Sequence, residues 1–399
     1  MDMRVQGELQ QKPVLLRGQL NPKRGCHVEM IKGWHLELLS PVHVGTGEAY
    51  PAYAYVPDFE GKRVHLLDPS ALLLALSPER REAFLRRVAE GPKGAQDVLR
   101  SLLKEGQLPP EAIRRTLPAS AAFLATIQKA SEASELEYRP LPYSPLGPYL
   151  PGSSVKGALR TAWLYWKLVQ RGEVVEWRGG GWQFRSRRED EEALIRPPQN
   201  VDLRQNLAFE AVVLGHLSSK GMPDLYRDPF RAVRLTDSSP GEGFLNRIGV
   251  FHPQGKMDDV AILAETFRKG SRFTLLFRYH GGLAQGRGVA GPVPPKELVR
   301  ALREYYGKVA EWERAYAQDH DLKRALEVYD DLEARLQDPG VFPIRIGFGS
   351  GRLALRLALL LPEDSPEAQD PTTRKTAGAK APRDGYPLGW AVGRLVEVR

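Results

Sequence analysis

Five prolines between residues 140 and 151 (Pro140, Pro142, Pro145, Pro148 and Pro151) dictate the course of the middle of this chain. Each fixes its own φ and pushes the residue before it out of the helical region, so segment 138–152 runs extended. After Pro151-Gly152 the chain is free to turn helical, and Ser153 or Ser154 can cap the helix by accepting a backbone N–H. Beyond them Val155, Ala158, Leu159, Ala162, Trp163 and Trp166 recur at helical spacing. They predict a buried stripe on a helix over 154–170. Lys156 and Arg160 lie one turn apart on another face, and Lys167 continues it.

The charge of this segment has one sign. No acid occurs between Glu137 and Glu173, a window that holds Arg139, Lys156, Arg160, Lys167 and Arg171. A glycine permits close approach of a phosphodiester backbone, the free N–H groups of a helix start favour an anion, and Lys156 and Arg160 add charged contacts to phosphate oxygens. The alternative is a capped amphipathic helix with a solvated cationic face; the missing acids favour phosphate. The segment is not a nucleotide-triphosphate loop, because Ala158-Leu159 stands where that loop needs Lys-Ser/Thr.

A second basic, glycine-rich stretch is IRIGFGSGRLALRLALLL at 344–361. Gly347, Gly349 and Gly351 allow positive φ and expose backbone N–H groups as an anion nest, and Phe348 between them could stack on a base or fill the core. Arg352 at the third glycine position excludes a dinucleotide fingerprint. The whole chain carries a formal charge of +8 over 399 residues, a balance that suits a polyanionic partner.

That length exceeds one compact core, so two elaborated domains are expected. Strand patterns cover 34–44, the hairpin of 53–57 with 63–67, and 231–280; helical patterns cover 70–130, 203–214 and 296–336; Gly281–Pro295 reads as a flexible loop. A leucine-rich element follows at 353–361, a polar loop at 362–385 and a terminal strand near 390. This order predicts an α+β fold rather than a doubly wound sheet. Residues 1–29 are polar and aperiodic and read as an N-terminal extension, with Met30 as a candidate natural start; the domains are expected at 30–215 and 216–399. The single Cys26 suits a reducing cytoplasm, and no run of 18 apolar residues offers a membrane span.

Four stretches together resemble the RAMP superfamily of CRISPR proteins, in particular the end (cap) subunits of type III-A Csm effector complexes. They are LELLSPVHVGTGE at 36–48, YLPGSSVKGALRTAW at 149–163, RAVRLTDSSP at 231–240 with ETFRKGSRFTLLFRY at 265–279, and RIGFGSGRLALRLALLL at 345–361 with PTTRK at 371–375 and PLGWAVGRL at 387–395. The resemblance implies two elaborated ferredoxin-like (RRM-related) βαββαβ modules with helical insertions. It implies a subunit that binds crRNA towards its 3′ end, caps the filament of backbone RAMP subunits and helps crRNA maturation by a nuclease supplied by others. The RNA-contacting positions it implies are Gly152, Ser153, Ser154, Lys156 and Arg160, then Gly347, Gly349, Ser350, Gly351 and Arg352. The turn at 347–351 is shorter than the glycine-rich loop of many RAMP proteins, which leaves a purely structural role open.

Catalysis has little to rest on. None of the eight histidines pairs at metal-ligand spacing, and His43, beside Gly45-Thr46-Gly47, is the best candidate base for a RAMP endoribonuclease acting on precursor crRNA. Asp237 and Asp258-Asp259 are the candidate magnesium ligands, with turn and cap roles as the alternative. The expectation is a protein without enzymatic activity, metal or cofactor. Trp163, Tyr165 and Trp166 are assigned to packing, and Arg185–Arg188 with Glu189–Glu192 to a solvated loop. Arg374-Lys375 either touches RNA or sits in a mobile loop.

Overall fold

Alternation of buried and exposed residues makes β1 (Glu29–Leu38) a strand with Trp34, Leu36 and Leu38 inside and Ile31 and His35 outside. The computed structural model describes residues 29–130, 136–198, 207–254, 261–285, 289–351, 354, 357–362 and 373–397. The extension 1–28, Asp258-Asp259 and Arg352 lie outside them.

The hairpin β2 (Tyr55–Asp58) and β3 (Arg63–Leu67) forms as expected, its turn closed by Asp58, which accepts from the Gly61 N–H at 2.8 Å. Three short helices follow: α1 (Pro69–Ala75), α2 (Pro78–Ala89) and α3 (Pro92–Lys104), each with proline in its first turn, where a missing N–H is harmless. The helical region expected over 70–130 is interrupted by β4 (Ile113–Pro118), which pairs with β3 before α4 (Ala121–Lys129). Pro109, Pro110 and Pro118 bracket that strand and exclude helix across it.

The proline run forms three two-residue strands, β5 (Tyr138–Arg139), β6 (Tyr143–Ser144) and β7 (Gly147–Pro148), and then α5 (Gly152–Arg171). A hairpin not expected from sequence, β8 (Glu173–Arg178) with β9 (Gly181–Ser186), turns at Gly179-Gly180, where both residues have positive φ, and the loop assigned to 185–192 follows it, with only Arg185 and Ser186 taken into β9. Its charges do not cancel in solvent: buried Glu191 takes Arg185 at 2.6 Å and Arg196 at 2.5 Å, and the hydrogen bonds from Arg185 above all hold its carboxyl far below the usual range. After β10 (Ile195–Arg196) come α6 (Leu207–Leu214), β11 (Val233–Leu235), β12 (Phe244–Phe251), β13 (Ile262–Thr266) and β14 (Arg272–His280).

The stretch expected to be a flexible loop begins with the short helix α7 (Gly281–Gln285), and Val289 and Val293 are buried. The helical stretch expected over 296–336 is filled by two helices, α8 (Pro295–Asp319) and α9 (Lys323–Arg335), parted at Asp321, whose φ is 50°. The chain ends in β15 (Val341–Arg345), β16 (Arg374–Ala377), β17 (Tyr386–Pro387) and β18 (Trp390–Glu397).

The fold is α+β with two five-stranded sheets. The first has the order β11-β14-β1-β18-β15, antiparallel throughout. Read along the chain, β1-α5-β11-β14-α8-β18 is a βαββαβ unit in ferredoxin-like order, with β15 added at the edge. Helices α5 and α8 cover one face, where Trp34 meets Phe342 edge-on at 4.7 Å and the Tyr306 hydroxyl donates to the Ala158 carbonyl at 3.2 Å. Strand β1 sits between two strands from the C-terminal half, so the division expected at residue 215 runs through this sheet, not between two cores. The second sheet has the order β17-β16-β12-β13-β5.

A buried ion triad joins the two sheets. Glu313 of α8, 3% exposed, accepts from Arg345 of β15 at 2.9 Å and from Arg374 of β16 at 2.7 Å. Burial raises the Glu313 pKa, and the two guanidinium groups more than offset this, leaving it lowered. Glu313→Ala would leave two buried guanidinium groups without their shared carboxylate. The expected loss of unfolding free energy is about 3–5 kcal/mol, measured by urea denaturation; a loss under about 1 kcal/mol would contradict the assignment.

Candidate nucleic-acid interface

Helix α5 begins at Gly152, two residues earlier than its expected start, and neither serine caps it. The Gly152 N–H donates to the carboxylate of Asp237 at 2.9 Å, so the strand-end aspartate that might have held magnesium is a cap supplied from 85 residues away. Gly152 is buried, and a Cβ there would overlap the backbone carbonyls of Leu235 and Thr236. Its missing side chain makes room for the chain's own β11, not for a phosphodiester. Among the glycines of this helix the open one is Gly157, exposed and with nothing within 4 Å of a Cβ position.

Arg160 does not face solvent as a free cation. Its Nε donates to Glu210 at 2.5 Å and its Nη1 to Asp228 at 2.8 Å, and its guanidinium lies 5.4 Å from the Phe230 ring centroid. The acid-free window of the sequence is thus filled in space by Asp237, Glu210 and Asp228.

Lys156 behaves differently. It is half-buried and, among the described residues, forms no ion pair. Burial lowers its pKa, opposed by Asp228 and reinforced by Arg160 and Arg234. Ser153 is exposed on the same first turn, Ser154 is half-buried, and Arg234 on β11 is exposed. Of the predicted residues on this turn Ser153 and Lys156 are therefore accessible, and Gly157, which the sequence reading did not assign to the site, lies open beside them.

The glycine turn follows β15 and lies against the loop after β1. Gly347, Gly349 and Gly351 have φ of 81°, 80° and 79°, a region closed to most side chains. A Cβ on Gly347 would overlap the His43 carbonyl, which accepts from the Phe348 N–H at 2.8 Å. Ser350 is buried, its hydroxyl donating to the Gly347 carbonyl at 2.6 Å, and Arg345 donates to the Gly349 carbonyl at 3.3 Å. These contacts make the turn a packed structural joint.

Phe348 is half-buried against the cluster of Ile248, Ala264 and Ala377 on the second sheet and Leu388 just after β17. Its ring is approached by Lys375 at 4.0 Å and Arg139 at 5.5 Å. It serves cations rather than standing free as a platform for a base. Arg374 and Lys375, undecided from sequence, part company: Arg374 is buried on Glu313 and Lys375 is half-buried beside Phe348.

His43 is buried, and its Nδ1 contacts the Glu265 carbonyl at 2.7 Å, so Nδ1 carries the proton and donates. Burial lowers the His43 pKa despite that bond, and Arg139 adds to the lowering. Glu265 is a buried acid that the sequence reading missed. It accepts from the Leu141 N–H at 3.2 Å and from the Tyr143 hydroxyl, and burial pushes its carboxyl up to about 7. Among the described residues no group of His, Cys, Asp and Glu could hold a metal ion, and no helix is long and apolar enough to cross a membrane.

The family model of the RAMP superfamily matches residues 35–354, from the middle of β1 to beyond the glycine turn. The chain belongs to the RAMP superfamily. Among solved structures, this RAMP chain is similar to a chain of a Csm–crRNA–target RNA ternary complex of a type III-A CRISPR–Cas system. The TM-score is 0.64 at 21% identity, over 91% of this chain and 100% of that one. It is also similar to Csm5 of T. onnurineus, with a TM-score of 0.59 at 22% identity, over 90% of this chain and 99% of that one. No curated protein sequence matches significantly.

Glu265 gives the RAMP chain a titration of its own. Its folded pKa, about 7, lies above that of an unfolded glutamate, so the folded state holds a proton that the unfolded state releases. Its contribution is least unfavourable below the unfolded pKa and worsens as pH rises through 7. Glu265→Gln imitates the protonated acid. Relative to wild type it should gain stability, on the order of 3 kcal/mol, between pH 5 and pH 8, read as the difference between two denaturation series. A parallel pH dependence of the two proteins would contradict this.

Proposed function

We propose that this chain is a non-catalytic crRNA-binding subunit of a type III-A CRISPR effector complex, acting in the cytoplasm in antiviral defence. It caps the 3′-end side of the crRNA, abuts a neighbouring backbone RAMP subunit of the Csm complex, and assists maturation while an accessory nuclease trims the RNA. The observation that carries this reading is the similarity to a whole chain of a Csm–crRNA–target RNA complex, covered over 100% of its length. Family membership over residues 35–354 and Lys156, which forms no ion pair among the described residues and stands beside exposed Ser153 and Gly157, support it.

The geometry supports the following RNA contacts. Lys156 meets a phosphate, Ser153 and Ser154 offer hydroxyls, and the backbone approaches at Gly157. Gly152 and Arg160 shape the helix start and its anchorage, and the glycine turn positions Phe348. Backbone contacts of this kind carry no sequence information, which suits an RNA with a variable spacer. His43, the best candidate base of the ribonuclease alternative, lies 2% exposed with Nδ1 committed to a carbonyl.

Lys156→Ala should weaken binding of single-stranded RNA and reduce the slope of log K against log salt by about 0.7, with unchanged thermal stability. Arg160→Ala should do the reverse: a stability loss of about 2 kcal/mol from stranding Glu210 and Asp228, with the salt slope unchanged. Fluorescence anisotropy and urea denaturation read the two effects. Repeat RNA incubated with the protein, with and without magnesium, should remain uncut; specific cuts that disappear in His43→Ala would overturn the non-catalytic reading.

A further inference from the structure

The second sheet brings together two cations that the sequence reading named only separately. Arg139 lies on β5 at one edge of that sheet, and Lys375 lies on β16, with β13 and β12 between them. Three strand spacings across the sheet and four residues along it put their backbones roughly 20 Å apart. The register places both side chains on one face: Arg139 is opposite Ala264, Ala264 opposite Asn246, and Val250, four residues along from Asn246, opposite Lys375. Phe348 lies on this same face, packed on Ile248, Ala264 and Ala377. Both charged ends reach across to it and finish 5.5 and 4.0 Å from one ring centroid.

An aromatic ring accounts for one cation near its face. It does not account for two like charges brought from opposite parts of a sheet to the same ring. Among the described residues neither Arg139 nor Lys375 has a carboxylate partner, in a protein that pairs Arg160, Arg185, Arg345 and Arg374 closely with acids. Lys375 is half-buried, and burial together with the charge of Arg139 disfavours its protonated form. An anion placed between the two would remove the repulsion and offset the desolvation. The neighbouring His43 ring, edge-on to Phe348 at 5.9 Å, carries its proton on the side bound to the Glu265 carbonyl and adds no acid.

We infer that Arg139 and Lys375, gathered on Phe348, form a clasp for one phosphate group. Guanidinium and ammonium then share a single phosphate, the first as a fork and the second as a point charge. In the complex the phosphate is supplied by RNA, either as an internal diester or as a terminal monoester. Only that identification of the bearer rests on the RNA-binding reading above. The clasp also gives the glycine turn its purpose, since the three positive-φ glycines set Phe348 down within reach of both cations.

The test uses the full chain and four variants: Arg139→Gln, Lys375→Gln, their double, and the charge-retaining pair Arg139→Lys with Lys375→Arg. Each is titrated with a fluorescent 12-nucleotide single-stranded RNA ending in a 3′-hydroxyl, and with the same RNA ending in a 3′-phosphate. Each Gln variant is expected to lose about tenfold in affinity. The double should be little worse than either single, because both cations hold one phosphate. The charge-retaining pair should bind nearly as wild type. Equal losses on the two RNAs assign an internal diester, and a loss confined to the phosphorylated RNA assigns a terminal monoester. A double variant that binds both RNAs as wild type, with the same salt slope, overturns the clasp.

A second readout is independent of RNA. Inorganic phosphate, exchanged for chloride at constant ionic strength, should raise the melting temperature of the wild type and leave that of the double variant unmoved. Failure of the wild type to bind RNA counts against the proposed function, and the clasp then stands or falls on this phosphate-dependent shift.

Discussion

The carboxylate of Glu313 ties a strand of each five-stranded sheet to one helix through two buried ion pairs. It lies inside, on α8, with Arg345 of β15 and Arg374 of β16 on its two oxygens. Each guanidinium is also near a ring: Arg374 is 3.8 Å from the Tyr316 centroid and Arg345 is 5.2 Å from that of Trp390. Taking three charges out of water is unfavourable, and a hydrophobic replacement of similar shape could be as stable. The triad supplies register instead. It fixes β15 of the first sheet and β16 of the second to one helix, and two parts of the clasp proposed for phosphate, Phe348 and Lys375, hang on those strands. The glycine turn leaves the end of β15, and Lys375 follows Arg374 directly.

Much of the fold was legible where the signal is local. The proline run, the apolar stripe of α5, the β2–β3 hairpin and the four strands between 231 and 280 come from φ restriction and periodicity, which operate over a few residues. Two misses had local signals that were passed over: the prolines bracketing β4, and Gly179-Gly180 turning β8 into β9. The domain division had none. No local pattern tells β1 that its partners are β14 and β18, more than 230 residues away, and this pairing makes one core from both halves of the chain.

The candidate site was legible in outline and misread in detail for the same reason. The window from Arg139 to Arg171 lacks acids in sequence, yet Asp237 caps Gly152 and Glu210 and Asp228 hold Arg160, across separations of 85, 50 and 68 residues. Gly152 is a glycine because Leu235 and Thr236 pass close to it. The folded chain sorts its basic residues into two sets. Arg160, Arg345 and Arg374 are structural and paired. Lys156, Arg139 and Lys375 are half-buried or exposed and without acids among the described residues. The second set is where a polyanion gains most, and it lies on α5 and on the second sheet of a RAMP fold.

Ultraviolet crosslinking of the assembled ribonucleoprotein, with peptides mapped to single residues by mass spectrometry, tests this sorting most directly. The account predicts RNA adducts around Ser153–Gly157 and around Phe348 and Lys375, and none at Gly152 or Arg160. Adducts confined to other surfaces, or a subunit that crosslinks only to protein neighbours, would contradict it.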